Sequence, residues 1–169
     1  LEQVGLLGPR TQCVHMTALG DQDIATVAKH GAQVVHCPRS NLKLGSGICP
    51  VQKLMDHDIN VALGTDGAAS NNRLSMLGEM QIASLIGKTQ HGDPKALDAW
   101  AALEMATING AIALGQQEKI GTIEVGKTAD LIAVDLSGVH HWPRHDIASS
   151  LVYATQGNEV ARSWIAGKP

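Results

Sequence analysis

Short apolar runs alternate with amphipathic stretches over the first 66 residues. Residues 12–16 (QCVHM) predict a strand, and residues 21–30 (DQDIATVAKH) predict a helix with Gly20 before it and Gly31 as its C-terminal cap. Residues 33–37 (QVVHC) predict the next strand, and 38–49 a polar, glycine-bearing loop. Residues 50–58 predict a short helix with proline in its first turn, and 60–64 (NVALG) a third strand. The strand centres near Cys13, Val35 and Ala62 lie about 22 to 27 residues apart, the period of strand, helix and return loop in a parallel α/β protein.

Beyond Asp66 a small polar segment, 67–72 (GAASNN), precedes a predicted helix over 73–88, in which Met76, Met80, Ala83 and Ile86 keep helical spacing. Asp93 and Pro94 predict the cap and first turn of a helix running to Ala106, apolar on most faces and therefore buried. Thr107 is expected to cap a further short helix ending at Gly115. From Ile120 the pattern changes to alternating apolar residues punctuated by Gly121 and Gly126. The strings TIEV, DLIAVDL and SWIAG predict short antiparallel strands, with a compositional boundary near Gln116. Three strand-helix units make neither a barrel of about 250 residues nor a doubly wound sheet, so the α/β part is incomplete or pairs with another chain.

Composition narrows the partners. The 169 residues carry 13 basic and 16 acidic side chains, a net charge of -3, with no block of Lys and Arg, which argues against nucleic acid or an acidic membrane surface. No apolar run is long enough to span a bilayer, and the first 20 residues lack the order of a signal peptide, so a soluble chain is expected. Cys13, Cys37 and Cys49 are odd in number and lack CxxC spacing, which points to reduced thiols in a cytoplasmic setting. The first residue is Leu1, which leaves room for the chain to be a fragment.

In parallel α/β folds functional groups stand at the carboxyl ends of strands. His15, His36 and Asp66 fall there. A single histidine on a strand usually packs or is solvated. Asp66 follows the buried run VALG with only Thr65 between and needs hydrogen bonds, an ion pair or a metal to offset desolvation, the plainer alternative being a turn aspartate in TDG. The GSG at 45–47 lacks the residues of a phosphate loop, and no GxSxG nucleophile motif occurs. His140, His141 and His145 read as solvated loop histidines rather than a metal cluster, and Met55, Met76, Met80 and Met105 as core filler.

Four strings carry a resemblance: HCPRSNLKLGSGICP (36–50), NVALGTDGAASNN (60–72), MATINGAIALG (105–115) and IGTIEVGKTADLIAVDL (120–136). Together they resemble the amidohydrolase superfamily, and within it the 5-methylthioadenosine/S-adenosylhomocysteine deaminase branch, kin to triazine hydrolases and guanine deaminases. The resemblance implies a (β/α)8 TIM barrel with a small β-sandwich. Residues 1–116 would supply the barrel's C-terminal part, strands six to eight, and 117–169 the returning strands of the sandwich. It implies one catalytic zinc, of whose ligands only Asp66 has a counterpart here. The His-x-His pair, the fifth-strand His and the Glu that protonates the purine ring would lie upstream of Leu1. Asp66 would be metal ligand, substrate contact and the acceptor of the proton of water as hydroxide adds to C6 of an adenine ring, with ammonia leaving. His15 is the candidate for a second substrate contact, although Gln12 stands where some relatives carry another histidine. Ser40, Asn41, Ser70 and Asn71 lie near the same face. The implied reaction converts 5-methylthioadenosine or S-adenosylhomocysteine, small purine nucleosides, to the inosine analogue plus ammonia, in a full-length homo-oligomer, with this partial chain inactive alone. The alternatives are a non-catalytic chain that completes a partner, or a related amidohydrolase acting on guanine or aminotriazines.

Overall fold

The computed structural model describes all residues, Leu1–Pro169. Strands β1 (Gln12–Val14), β2 (Gln33–His36) and β3 (Val61–Leu63) form a parallel sheet in that order, with Cys13 opposite Val34 and Val34 opposite Val61. Helix α1 (Asp21–His30) returns the chain from β1 to β2. The Gly20 N–H donates to Asp23 Oδ2 (2.9 Å) at its start, and Gly31 at φ 62° ends it in the left-handed conformation that costs glycine nothing.

Between β2 and β3 the structure replaces the expected loop with helix α2 (Pro38–Leu44), followed by α3 (Val51–Met55). Pro38 sits in the first turn, where its missing N–H would have no helical partner, and Gly45 at φ 64° closes α2. Seven residues are too few to show a period, and this helix is held mainly by what it touches. Gly47, at φ 95°, belongs to the following turn, where a Cβ would stand 3.4 Å from Thr17 Cβ.

Helix α4 (Met76–His91) begins three residues later than the apolar spacing suggests, capped by Ser75, whose Oγ accepts from the Gly78 N–H (3.3 Å). Helix α5 (Ala99–Ala106) is a larger correction. Asp93 Oδ1 accepts from the Lys95 N–H (2.8 Å) to make a turn instead of a helix start, Leu97 adopts φ 43°, and Asp98 is the cap that accepts from the Ala101 N–H (2.9 Å). Thr107 precedes α6 (Ile108–Ala113) without capping it, because its Oγ1 donates backwards to the Leu103 carbonyl (2.7 Å).

One face of the sheet, with Cys13, Val34, Val61 and Leu63, packs against Ile24 and Val27 of α1, Leu54 of α3 and Met80 and Met105 of the later helices. The opposite face carries Gln12, Gln33 and Asn60, which meet α6. Gln12 Nε2 donates to the Ala113 carbonyl (3.0 Å), and Asn60 Nδ2 to the Asn109 carbonyl (3.0 Å). Val14 on that face is left exposed, and a groove of about 670 Å³ runs along β1 past Leu7, Met16, Leu19 and Val27.

Strands β4 (Leu131–Val134) and β5 (Val160–Trp164) pair antiparallel with an irregularity at Ala133 and Val134. Residues 122–125 form no strand, and Ile123 and Val125 are exposed, since alternation alone supplies no partner for their backbone. Between β4 and β5 lie a 3-10 turn (Val139–His141), a helical turn (Ile147–Ser149) and a π-helical turn (Ser150–Ala154). Ala148 and Val152 from these turns join the same core as the sheet. No helix is long and apolar enough to cross a membrane.

Gly87 tests how tightly α4 is pressed onto the turn before α5. A Cβ there would stand 2.9 Å from both Leu97 Cβ and Cδ2. Gly87→Ala gains about 1 kcal/mol in helix propensity but forces the contact open at about 1–3 kcal/mol, so net destabilisation is expected in urea unfolding. A more stable variant would refute the close approach.

Candidate active site

The carboxyl ends of the strands gather the polar groups. At the end of β1, His15 and Met16 both have left-handed backbone conformations (φ 71° and 49°), and past β3 so does Asp66 (φ 58°). Three consecutive or facing residues with positive φ outside glycine mark a place where the surroundings over-determine the backbone. The His15 N–H reaches the Val35 carbonyl (3.0 Å), which holds the turn against β2.

Helix α2 then brings two side chains to the same point. Asn41 Oδ1 lies 2.8 Å from His15 Nδ1. An amide oxygen only accepts, so Nδ1 carries the hydrogen and Nε2 is left facing Asp66 Oδ2 at 3.9 Å, an electrostatic contact too long for a hydrogen bond. The Ser40 hydroxyl donates to the same Oδ2 (2.7 Å), and the Gly67 N–H donates to Oδ1 (2.7 Å). The hydroxyl of Ser40 first, and with it the Gly67 amide, hold the Asp66 carboxyl down to about 2, well below the usual carboxylate range. Asp66 is thus an exposed, permanently ionised carboxylate aimed at an imidazole.

Beneath it lies a buried network. Glu79 on α4 is fully inaccessible to solvent. Its Oε2 accepts from the Arg39 backbone N–H (3.1 Å) and its Oε1 from Asn71 Nδ2 (2.8 Å), with Arg39 Nε 3.3 Å from Oε1. Asn71 Nδ2 also reaches the Thr65 carbonyl (2.8 Å), one residue before Asp66. Glu79 therefore ties α2, the 65–72 loop and α4 together. Sequence reasoning missed it, although a signal was present: Glu79 stands among Met76, Met80 and Ala83, on the face those residues bury, and a carboxylate there needs partners.

Of the three groups expected at the strand ends, His15 and Asp66 come together and His36 does not join them. His36 is 2% exposed, its Nδ1 has no partner, and burial first, then the nearby His15, pushes its pKa down to about 4, so it stays neutral at pH 7. Ser40 and Asn41 act from a helix, not a loop, and the Ser70 hydroxyl donates to the Gly67 carbonyl (3.1 Å). The reading of His140, His141 and His145 as solvated is corrected for His141, which is 3% exposed; His145 is exposed and His140 half-exposed. Around Asp66 the chain offers one carboxylate and, farther off, one imidazole. No three-donor set of His, Cys, Asp or Glu forms there.

Parallel strands joined by helices, with a fixed carboxylate past the end of the third strand, define an α/β protein with its candidate site where that architecture carries active sites. The chain belongs to the amidohydrolase family, whose model matches residues 1–169. It is 52% identical over 168 residues to the 5-methylthioadenosine/S-adenosylhomocysteine deaminase of Teredinibacter turnerae, covering 99% of this chain and 38% of that protein. It is 45% identical to the 5'-deoxyadenosine deaminase of Methanosarcina acetivorans over 168 residues, with the same two coverages. The solved structure of an adenosine deaminase from Xanthomonas campestris with bound zinc matches with a TM-score of 0.97 and 48% identity, over 99% of this chain and 38% of that one. The chain thus spans well under half the length of these relatives.

Two outcomes test the geometry. Ser40→Ala is expected to raise the Asp66 carboxyl toward the ordinary value of about 3.9, read by carboxyl carbon NMR across an acid titration. The sign follows from the depressed value: ionised Asp66 contributes to stability above the ordinary pKa, and the contribution is lost as pH falls through about 2. An unmoved midpoint would remove Ser40 from the account. Glu79→Ala should cost about 3 kcal/mol in denaturant unfolding, the low end for a broken buried pair because Arg39 keeps some access to water. A loss below about 1 kcal/mol would show that the network does not hold the loop.

Proposed function

We propose that this chain supplies the last three strand-helix units of a (β/α)8 barrel, and in 117–169 the returning strands of a small sandwich, in a zinc-dependent deaminase of adenosine-type nucleosides. The observation that carries the reading is the Asp66 carboxylate, fixed past β3 by Ser40 and Gly67 and facing His15. Two features of the sheet support the partial barrel. The parallel sheet has three strands, and β1 leaves its free edge beside a groove of mixed lining with Val14 exposed next to it, as expected where further strands and helices dock.

Bound zinc in such a site lowers the pKa of water toward neutrality. Asp66 is the residue of this chain that would hold it, and the remaining ligands would come from outside residues 1–169. The chain's own contributions are specific. Asp66 is ionised at every working pH and is therefore ready both as a ligand and to accept a proton from the water that attacks C6 of the ring. A carboxylate held so low is a weak resting base, so it would take the proton only as attack proceeds and pass it on to the departing amine. His15, with Nδ1 tied to Asn41, presents Nε2 to the substrate side of Asp66. The substrate class proposed is 5-methylthioadenosine or S-adenosylhomocysteine, on the strength of the 52% identity to a deaminase of that name. The three free, buried cysteines suit a reducing compartment such as the cytoplasm.

A hybrid chain checks this directly, with the preceding part of the Teredinibacter turnerae relative joined ahead of Leu1. The hybrid should release ammonia from 5-methylthioadenosine, Asp66→Asn should lower kcat by about 10²–10⁴, and the 169-residue chain alone should release none. Near-normal turnover by the Asp66→Asn hybrid, or turnover by the isolated chain, would overturn the assignment.

A further inference from the structure

We propose that His140, His141 and Glu159 form a binding site for a divalent transition metal of the zinc class, on the β4–β5 unit and distinct from Asp66. The three residues place one donor atom each within 4.8 Å of one another, the one such set of His, Cys, Asp and Glu in the chain. His140 Nε2 lies 3.0 Å from Glu159 Oε1, and the two imidazole rings stand 4.2 Å apart, centroid to centroid, inclined at 44°. Zinc bonds of about 2.0–2.1 Å in a tetrahedral site set donors a little over about 3 Å apart, so small side-chain rotations suffice.

The independent observation is His141. It is 3% exposed, and neither Nδ1 nor Nε2 has a hydrogen-bond partner. A buried imidazole left wholly unpaired is costly, and a metal beside it satisfies one nitrogen. Its neighbours are arranged to match. Glu159 Oε2 is already engaged by the backbone N–H groups of Gln156 (3.0 Å) and Gly157 (2.8 Å), which fixes the carboxylate and leaves Oε1 toward the histidines. Gly138 lets the His140 ring fold back over the turn: a Cβ at 138 would stand 2.7 Å from His140 Cε1. Two imidazoles and one carboxylate favour zinc, cobalt or nickel over calcium and magnesium, which prefer all-oxygen sets. One position remains for water. The ion would join the turn at 139–141 to the start of β5, where the Asp135 N–H already donates to the Glu159 carbonyl (2.8 Å), and so clip the two ends of the segment between β4 and β5.

The test uses the metal-free 169-residue chain. Titration with Co²⁺, followed by its visible d–d absorption, and with Zn²⁺, by calorimetry, should show one tightly bound equivalent and a raised thermal midpoint. Asp66→Asn should bind as the wild type does. His140→Ala, at a half-exposed position, and Glu159→Gln, which keeps an acceptor for the two backbone N–H groups, should each weaken binding about a hundredfold or more, with far-UV circular dichroism reporting an intact fold. Loss of the site in Asp66→Asn, wild-type affinity in His140→Ala and Glu159→Gln, or no stoichiometric binding at all would each overturn the proposal. A deaminase reading that failed while cobalt bound here would leave this site standing, since it shares no residue with Asp66.

Discussion

Removing a carboxylate from water costs several kcal/mol, and Glu79 is wholly out of water. What offsets that cost determines the geometry around Asp66. The Arg39 guanidinium and backbone N–H approach from the first turn of α2, and the Asn71 amide approaches from the loop that follows Asp66. Each donor can serve Glu79 only if its element lies where it is observed. Helix α2 is thereby placed so that Ser40 and Asn41 reach Asp66 and His15, and the 65–72 loop is pinned at the Thr65 carbonyl. The exposed site takes its geometry from the buried carboxylate below it, because the same elements that supply its donors carry Ser40, Asn41 and Asp66.

Much of the α/β part was legible because its signals are local. Helix α1 begins and ends where Gly20 and Gly31 indicate, and the three strand positions follow from apolar runs bounded by turn residues. Where the sequence misled, a tertiary contact or a competing local bond decided the outcome. Asp93 with Pro94 has the chemistry of a helix start, yet the Asp93 carboxylate closes a turn and Asp98 takes the capping role. Helix α2 is stabilised from outside, through Glu79, and carries no period of its own. Residues 122–125 alternate as a strand does but find no partner.

The site divides along the same line. Asp66 was legible because a carboxylate after a buried strand demands an explanation at once, within a few residues of sequence. Ser40, which holds its Oδ2, comes from 26 residues upstream, and Asn41 holds His15 from 26 residues downstream, separations no local pattern reports. His141 went the other way. Beside Trp142 and Pro143 it reads as a loop residue, and its burial follows from how the 139–141 turn packs on the 150–154 turn, which itself lies on α4 and α5, a long-range event.

The two carboxylates at the centre of these sites reach a similar acidity by different means, and the difference bears on what each can do. Asp66 is exposed and is held near 2 by a hydroxyl and by donors of its own loop, with the imidazole of His15 held off at 3.9 Å. Its oxygens are satisfied but accessible, so it can enter a larger constellation without losing a partner. Glu159 is nearly buried and reaches about 2 against its own desolvation, through backbone N–H groups and His140. Both remain ionised as pH falls until near 2, below any ordinary histidine titration, so protonation of a neighbouring imidazole strengthens each pair instead of dissolving it. The contrast lies in completeness. Glu159 has two imidazoles within reach inside this chain, whereas Asp66 has one, His15, held off at 3.9 Å.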